Sequence, residues 1–140
     1  MRWRRVPGGV AAVLERGDEV LDSLRRLAAE AGLKSGSIAG LGAVDRVQLA
    51  FYDLERKAYD RLDLEGDHEI GGLTGNLTLL DGAPFVHVHV VVAGRDFVAR
   101  SGHLMRAHCS ATVELFVHDF GAEPIHRGPD AAIGLNLCKL

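Results

Sequence analysis

One segment of this 140-residue chain, Phe85 to Val92, constrains the fold more than any other. In a β-strand, successive side chains point to opposite faces, and β-branched residues favour a pleated, half-buried surface. The segment places four valines on one face and two histidines, His87 and His89, on the other. It therefore predicts a strand whose valine face lies in a core and whose opposite face carries two neighbouring imidazoles.

Alternation of apolar and polar residues predicts further strands at residues 44–52, 73–80 and 111–118, and a short opening strand at 10–16. Asp81-Gly82 predicts a tight turn that makes a hairpin with the histidine strand. Residues 53–59 are expected to form a polar connection. The glycine-rich stretch from Gly36 to Gly42 lacks a Walker lysine, so it indicates close backbone packing around a strand rather than phosphate binding.

One helix is expected near the start of the chain. Apolar residues recur at helical spacing from Val20 to Ala31, with Asp18 as the candidate N-cap and Gly32 as the C-terminal glycine. One helix followed by many strands predicts the α+β class, with the helix packed on a twisted, largely antiparallel sheet.

Length and charge favour a single domain over residues 1–140, with a core at about 10–120 and a loop-like tail at 121–140. The chain has 16 Lys and Arg against 19 Asp and Glu, a net charge of −3, so it has no general attraction for nucleic acid. Its one basic cluster, Arg2, Arg4 and Arg5, is expected to be a solvated terminus. Cys109 and Cys138 lack metal-binding spacing and predict reduced thiols in a cytoplasmic protein, and no apolar run is long enough to cross a membrane.

Three of the seven histidines are arranged in a way that suggests a metal site. His87 and His89 share a strand face, and His103 follows 14 residues after His89 in a glycine-containing segment. Three imidazoles with an open fourth position are the ligand set of a catalytic-type zinc site, and they also suit iron, nickel, copper or cobalt. The alternative is that the pair on the strand only forms hydrogen bonds within a sheet.

Two acidic residues are candidate partners of this site. Glu114 lies on an expected neighbouring strand, and Glu69 precedes a Gly-Gly break. Either can serve as a proton carrier, as a hydrogen-bond partner of an imidazole, or as a plain charge at the rim.

The chain resembles the PPC (plants and prokaryotes conserved) domain family over about residues 14–118. The resemblance rests on an ordered series of short motifs: residues 14–19 (LERGDE), 40–43 (GLGA), 51–53 (FYD), 69–70 (EI), 73–76 (LTGN), 81–89 (DGAPFVHVH), 102–104 (GHL) and 112–114 (TVE). It implies a homotrimer of α/β type in which His87, His89 and His103 bind a divalent metal, usually zinc, near a subunit interface. The chain has Ser101 where the family usually has a glycine, and it has no Arg-Gly-Arg-Pro hook of the plant DNA-binding relatives.

Three functional hypotheses follow. The first is a homotrimeric metal-binding protein with a regulatory or DNA-binding role. The second is a metal-dependent, hydrolase-like enzyme that acts on an unidentified small molecule, with the metal activating water. In the third, the metal is purely structural and ties strands together near a trimer interface.

Overall fold

The computed structural model of the protein describes residues 1–121 and 123–140, which form nine strands and one helix, α1 (Val20–Ala31). The strands are β1 (Arg2–Val6), β2 (Gly9–Glu15), β3 (Gly36–Asp53), β4 (Ala58–Leu64), β5 (His68–Leu80), β6 (Ala83–Ala93), β7 (Ala99–Asp119), β8 (His126–Asp130) and β9 (Leu135–Lys139). No helix of the described residues is long and apolar enough to span a membrane.

The predicted α+β class is wrong, because the fold is largely β. Strands make up 67% of the chain and helix 9%. The difference arises because the strands run well beyond the alternating segments. β3 takes in the whole glycine-rich stretch, and β7 is a continuous 21-residue strand. The expected connection at 53–59 overlaps the start of β4, and the expected tail at 121–140 contains β8 and β9.

The sheet closes on itself around the core. β3 pairs with β5, β5 with β6, β6 with β7, and β7 again with β3. This closure is achieved because β3 and β7 pair along two stretches with register shifts between them, so both strands change direction at irregular positions. All pairs of strands are antiparallel except β5 with β8, which meet at one parallel bridge, Leu79 to His126.

Glycines allow β3 and β7 to approach each other closely. A Cβ atom at Gly42 would lie 2.2 Å from the carbonyl oxygen of Thr112, and one at Gly36 would lie 2.4 Å from that of His118. Gly42 also has a φ of +142°, which side-chain-bearing residues rarely adopt. The glycine-rich stretch is therefore a packing element of the sheet, as its sequence indicates.

The helix covers one side of the closed sheet. Its N-cap is Glu19 rather than the expected Asp18, and the Glu19 side chain accepts a hydrogen bond from the backbone N–H of Asp22. Asp18 instead binds the amino terminus, with an N–O distance of 2.7 Å. Gly32 ends the helix in the left-handed conformation, as predicted. The buried face of the helix meets the valine face of β6, which is entirely in the core: Val86, Val88, Val90 and Val92.

Candidate metal centre

The three predicted ligands converge on one face of the sheet. His87 and His89 are two residues apart on β6, and His103 on β7 is the direct cross-strand partner of His89. Cross-strand partners present their side chains on the same face, so the register alone places these imidazoles together. One ligand nitrogen from each histidine lies within 4.8 Å of those of the other two. Among the described residues, this is the only such group of three or more His, Cys, Asp or Glu side chains.

Burial keeps two of these imidazoles neutral. Desolvation, followed by the charges of His103, Arg127 and His89, lowers the pKa of His87 from 6.5 to about 4. Desolvation, followed by the charge of His89, also lowers the pKa of His103. A neutral imidazole has a lone pair that can bind a metal, so these shifts leave the donors of His87 and His103 available at neutral pH.

The arrangement fits a divalent metal ion. Tetrahedral zinc binds imidazole nitrogens at about 2.0–2.1 Å, which places the ligand nitrogens about 3.4 Å from one another. Small side-chain rotations would bring the three histidine nitrogens to this separation. The Nδ1 atom of His103 is buried and has no hydrogen-bond partner among the described residues. An unpaired buried nitrogen is costly, and a metal bond is one way to satisfy it. His89 is exposed, so the site opens to solvent.

Neither predicted acidic partner lies beside the histidines. Glu114 on β7 pairs with Leu41 of β3, and β3 and β5 separate it from β6, a distance of about 14 Å at ordinary strand spacing. Glu69 pairs with Ala93, four residues along β6 from His89, or about 13 Å away. Both glutamates are exposed. In this single chain they are rim charges rather than members of the site.

An aromatic wall formed by the β3–β4 hairpin closes one side of the site. The ring of Tyr59 on β4 stacks on the His103 imidazole at a centroid distance of 5.2 Å and also contacts Tyr52, its cross-strand partner on β3. Desolvation raises the pKa of Tyr59, and the charge of Tyr52 adds to this shift. The sequence patterns did not identify Tyr59 as part of the site, because residues 53–59 were expected to form a polar connection. The turn-flanking tyrosines of a hairpin were the available signal.

A second wall comes from the C-terminal hairpin β8–β9, through Arg127. Its guanidinium donates hydrogen bonds to Thr78 Oγ1 at 3.0 Å, Asn136 O at 2.8 Å and Asn76 Oδ1 at 2.9 Å, and Nη2 lies 3.4 Å from His87 Nδ1. The same group lies over the Phe85 ring. No local sequence signal identifies Arg127, because its position depends on one long-range bridge between β8 and β5.

The site opens into a small cavity of about 240 Å³, lined by Thr74, Gly75 and Asn76 of β5 and by His87 and His89 of β6. Thr74 and Asn76 are the cross-strand partners of His89 and His87, respectively. A larger cavity of about 570 Å³ lies near His68, and part of its polar lining is internally paired. His68 Nδ1 contacts the Gly66 carbonyl, and Asp96 accepts hydrogen bonds from Arg100.

Comparison with known proteins identifies the family. A sequence profile of the Plants and Prokaryotes Conserved (PCC, also written PPC) domain matches residues 5–121. The chain belongs to this family. The resemblance inferred from the sequence motifs is thereby confirmed, and a search of curated proteins finds no significant match.

Several solved structures superimpose closely on this chain. A proposed DNA-binding protein from Bacteroides thetaiotaomicron is 30% identical, with a TM-score of 0.94 over 99% of this chain and 96% of its own. A PPC protein from Pyrococcus horikoshii is 27% identical, with a TM-score of 0.88 over 100% and 92%. A metal-containing protein from Archaeoglobus fulgidus is 31% identical, with a TM-score of 0.88 over 94% and 93%.

Proposed function

We propose that this PPC protein is a homotrimer and that each chain binds one divalent metal ion through His87, His89 and His103. Zinc is the metal that we expect. The observation that carries the proposal is the convergence of three imidazoles, two of them held neutral by burial and one open to solvent. The metal-containing relative from Archaeoglobus fulgidus adds support. Bound zinc would supply a Lewis-acidic position for an oxygen or nitrogen ligand.

The surrounding residues orient the three donors. Tyr59 restricts rotation of the His103 ring by stacking on it. The contact between Arg127 and His87 Nδ1 is long, at 3.4 Å, so it can be given up when His87 places its proton on Nδ1 and binds a metal through Nε2. The hydrogen bond from Arg127 to Asn76, at 2.9 Å, is the firmer of the two.

Zinc affinity of the wild type and two variants tests the metal site. Competition with a chromophoric chelator should show that His89→Ala lowers the affinity at least 100-fold, because only two protein ligands remain. The control is His118→Ala, which removes an exposed histidine from β7 outside the site and should leave the affinity unchanged. Equal zinc affinity in wild type and His89→Ala would reject the proposed ligand set.

The homotrimer is supported by large apolar side chains that are exposed on the surface of the sheet. Leu41, Val91 and Phe116 are 54%, 39% and 53% exposed there, on three different strands. Covering such a surface is a common reason for self-association. Light scattering after size exclusion should give three times the chain mass for the wild type and a smaller species for Phe116→Glu. Leu140→Glu adds the same charge at the chain end and should remain trimeric; a monomeric wild type would contradict the assembly.

DNA binding or regulation is the second candidate role, because related proteins from Bacteroides thetaiotaomicron and Ralstonia eutropha are described as proposed DNA-binding proteins. In the structure, acidic groups offset part of the basic cluster: Arg2 pairs with Glu15, and Arg5 pairs with Asp119. Fluorescence anisotropy with duplex DNA in 50 and 200 mM salt, with heparin as competitor, tests this role. A complex that survives heparin supports it, and the absence of a complex in 50 mM salt rejects it.

The hydrolase-like alternative keeps the same open metal position, but among the described residues no carboxylate joins the three histidines to carry a proton. A screen of esters, lactones, phosphoesters and amides with zinc-loaded wild type and His89→Ala would reveal such an activity. The free cysteines, Cys109 and Cys138, fit a reducing, cytoplasmic setting for either role.

A further inference from the structure

The cavity beside the histidines contains one amide group whose orientation the structure determines. Arginine can only donate hydrogen bonds, so the atom of Asn76 that faces Arg127 must be the carbonyl oxygen. The Nδ2 amino group of Asn76 then points away from Arg127 and donates no hydrogen bond to another described residue. Asn76 itself lines the cavity. The cavity thus gains an oriented, unused N–H donor next to His87, the cross-strand partner of Asn76.

The local charge favours an anionic ligand. Arg127 is a permanent cation next to His87, and its guanidinium is held by three hydrogen bonds at 2.8–3.0 Å. A divalent metal ion would make the site more positive still. An anion in the cavity would relieve both charges.

The shape and donors of the cavity favour a small carboxylate. The cavity offers about 240 Å³ and is open to solvent on one side, so a small carboxylate fits within it. The lining offers the Asn76 amide and the Thr74 hydroxyl. Phosphate sites instead gather several backbone N–H groups or a free arginine, and most N–H groups of Arg127 are already engaged. A carboxylate has two oxygens, one for the metal position and one for an amide donor.

We infer that Asn76, oriented by Arg127, is a ligand-binding residue of this site and that the site takes a small carboxylate. This inference rests on the metal site proposed above. Asn76 contacts the ligand through its Nδ2 donor. Arg127 acts through Asn76 and is a positioning residue.

Sodium acetate, titrated into the zinc-loaded trimer, is the probe. Binding should shift the side-chain amide resonances of Asn76 in ¹H–¹⁵N spectra, a readout that requires no enzymatic activity. Asn76→Asp keeps an acceptor for Arg127 but replaces the donor by a carboxylate, so acetate affinity should fall at least tenfold. His118→Ala, which removes an exposed side chain of β7 outside the cavity, should alter the affinity less than threefold. Arg127→Met should weaken acetate binding, and Arg127→Lys, which can still donate to Asn76 Oδ1, should restore it.

Zinc affinity, measured separately by chelator competition, distinguishes the two proposals. If zinc does not bind, the metal site itself fails. If zinc binds but acetate leaves the Asn76 amide resonances unmoved, or binds Asn76→Asp as tightly as wild type, the assignment of Asn76 is wrong. Inorganic phosphate binding more tightly than acetate would overturn the carboxylate class.

Discussion

Acidification should destabilise the metal-free protein through His87. The imidazole has a pKa of about 4 in the folded chain and about 6.5 when unfolded. Between these values the unfolded state binds more protons than the folded state, so the free energy of unfolding falls as the pH drops from 6.5 towards 4. The difference of about 2.5 pKa units corresponds to at most about 3.4 kcal/mol at 1.36 kcal/mol per unit. Because the His87 side chain is only part-buried, water screens part of this effect, and we expect the free energy of unfolding to fall by about 2 kcal/mol.

Urea unfolding of metal-free protein at pH 7 and pH 4 measures this effect. His87→Gln is the matched control, because glutamine is polar, similar in length and does not titrate. The wild type should lose about 2 kcal/mol more than His87→Gln over this range. The burial argument would be refuted if both proteins lost the same free energy of unfolding between pH 7 and pH 4. An NMR titration that gives the His87 imidazole a pKa above 6 would also refute it. The same low pKa predicts that protons compete little with zinc at His87 down to about pH 5.

Three substitutions test other parts of the structure. Leu27→Ala empties a fully buried position on α1 and should lower the free energy of unfolding by about 3 kcal/mol in urea; a loss below about 1 kcal/mol would contradict the packing. Gly42→Ala forces a Cβ against the backbone of β7 and should cost more than about 2 kcal/mol by the same assay, whereas no change would show that this approach is absent. Tyr59→Leu should lower zinc affinity about tenfold by releasing the ring of His103, and Tyr59→Phe should retain it; equal affinity in Tyr59→Leu would rule out that positioning role.

Local sequence patterns predicted the centre of the site better than its surroundings. The i, i+2 spacing in β6 places His87 and His89 on one face, and the opposite valines are fully in the core. The alternation of side chains depends only on a few neighbouring residues of one strand, so the sequence alone predicts which face each side chain occupies. Tyr59 and Arg127 reach the site through a hairpin and a long-range bridge, which no local period encodes.

The fold class was wrong for a related reason. Alternation marks only the half-buried part of a strand, whereas β3 and β7 continue through glycines and bulges where alternation breaks down. The full length of β3 and β7 depends on their pairing with each other along two separate stretches. Counting only the alternating segments therefore underestimates the β content. The end of α1 at Gly32 was predictable because a left-handed glycine cap is a local signal.

The most direct test of the proposed metal site is elemental analysis of protein purified without a histidine tag, combined with its mass in solution. The proposed function predicts one zinc, or another divalent metal, per chain and three per trimer, with the metal lost in His89→Ala. Fewer than one metal ion per three chains in a well-folded preparation, after incubation with zinc at pH 7, would contradict the site formed by His87, His89 and His103.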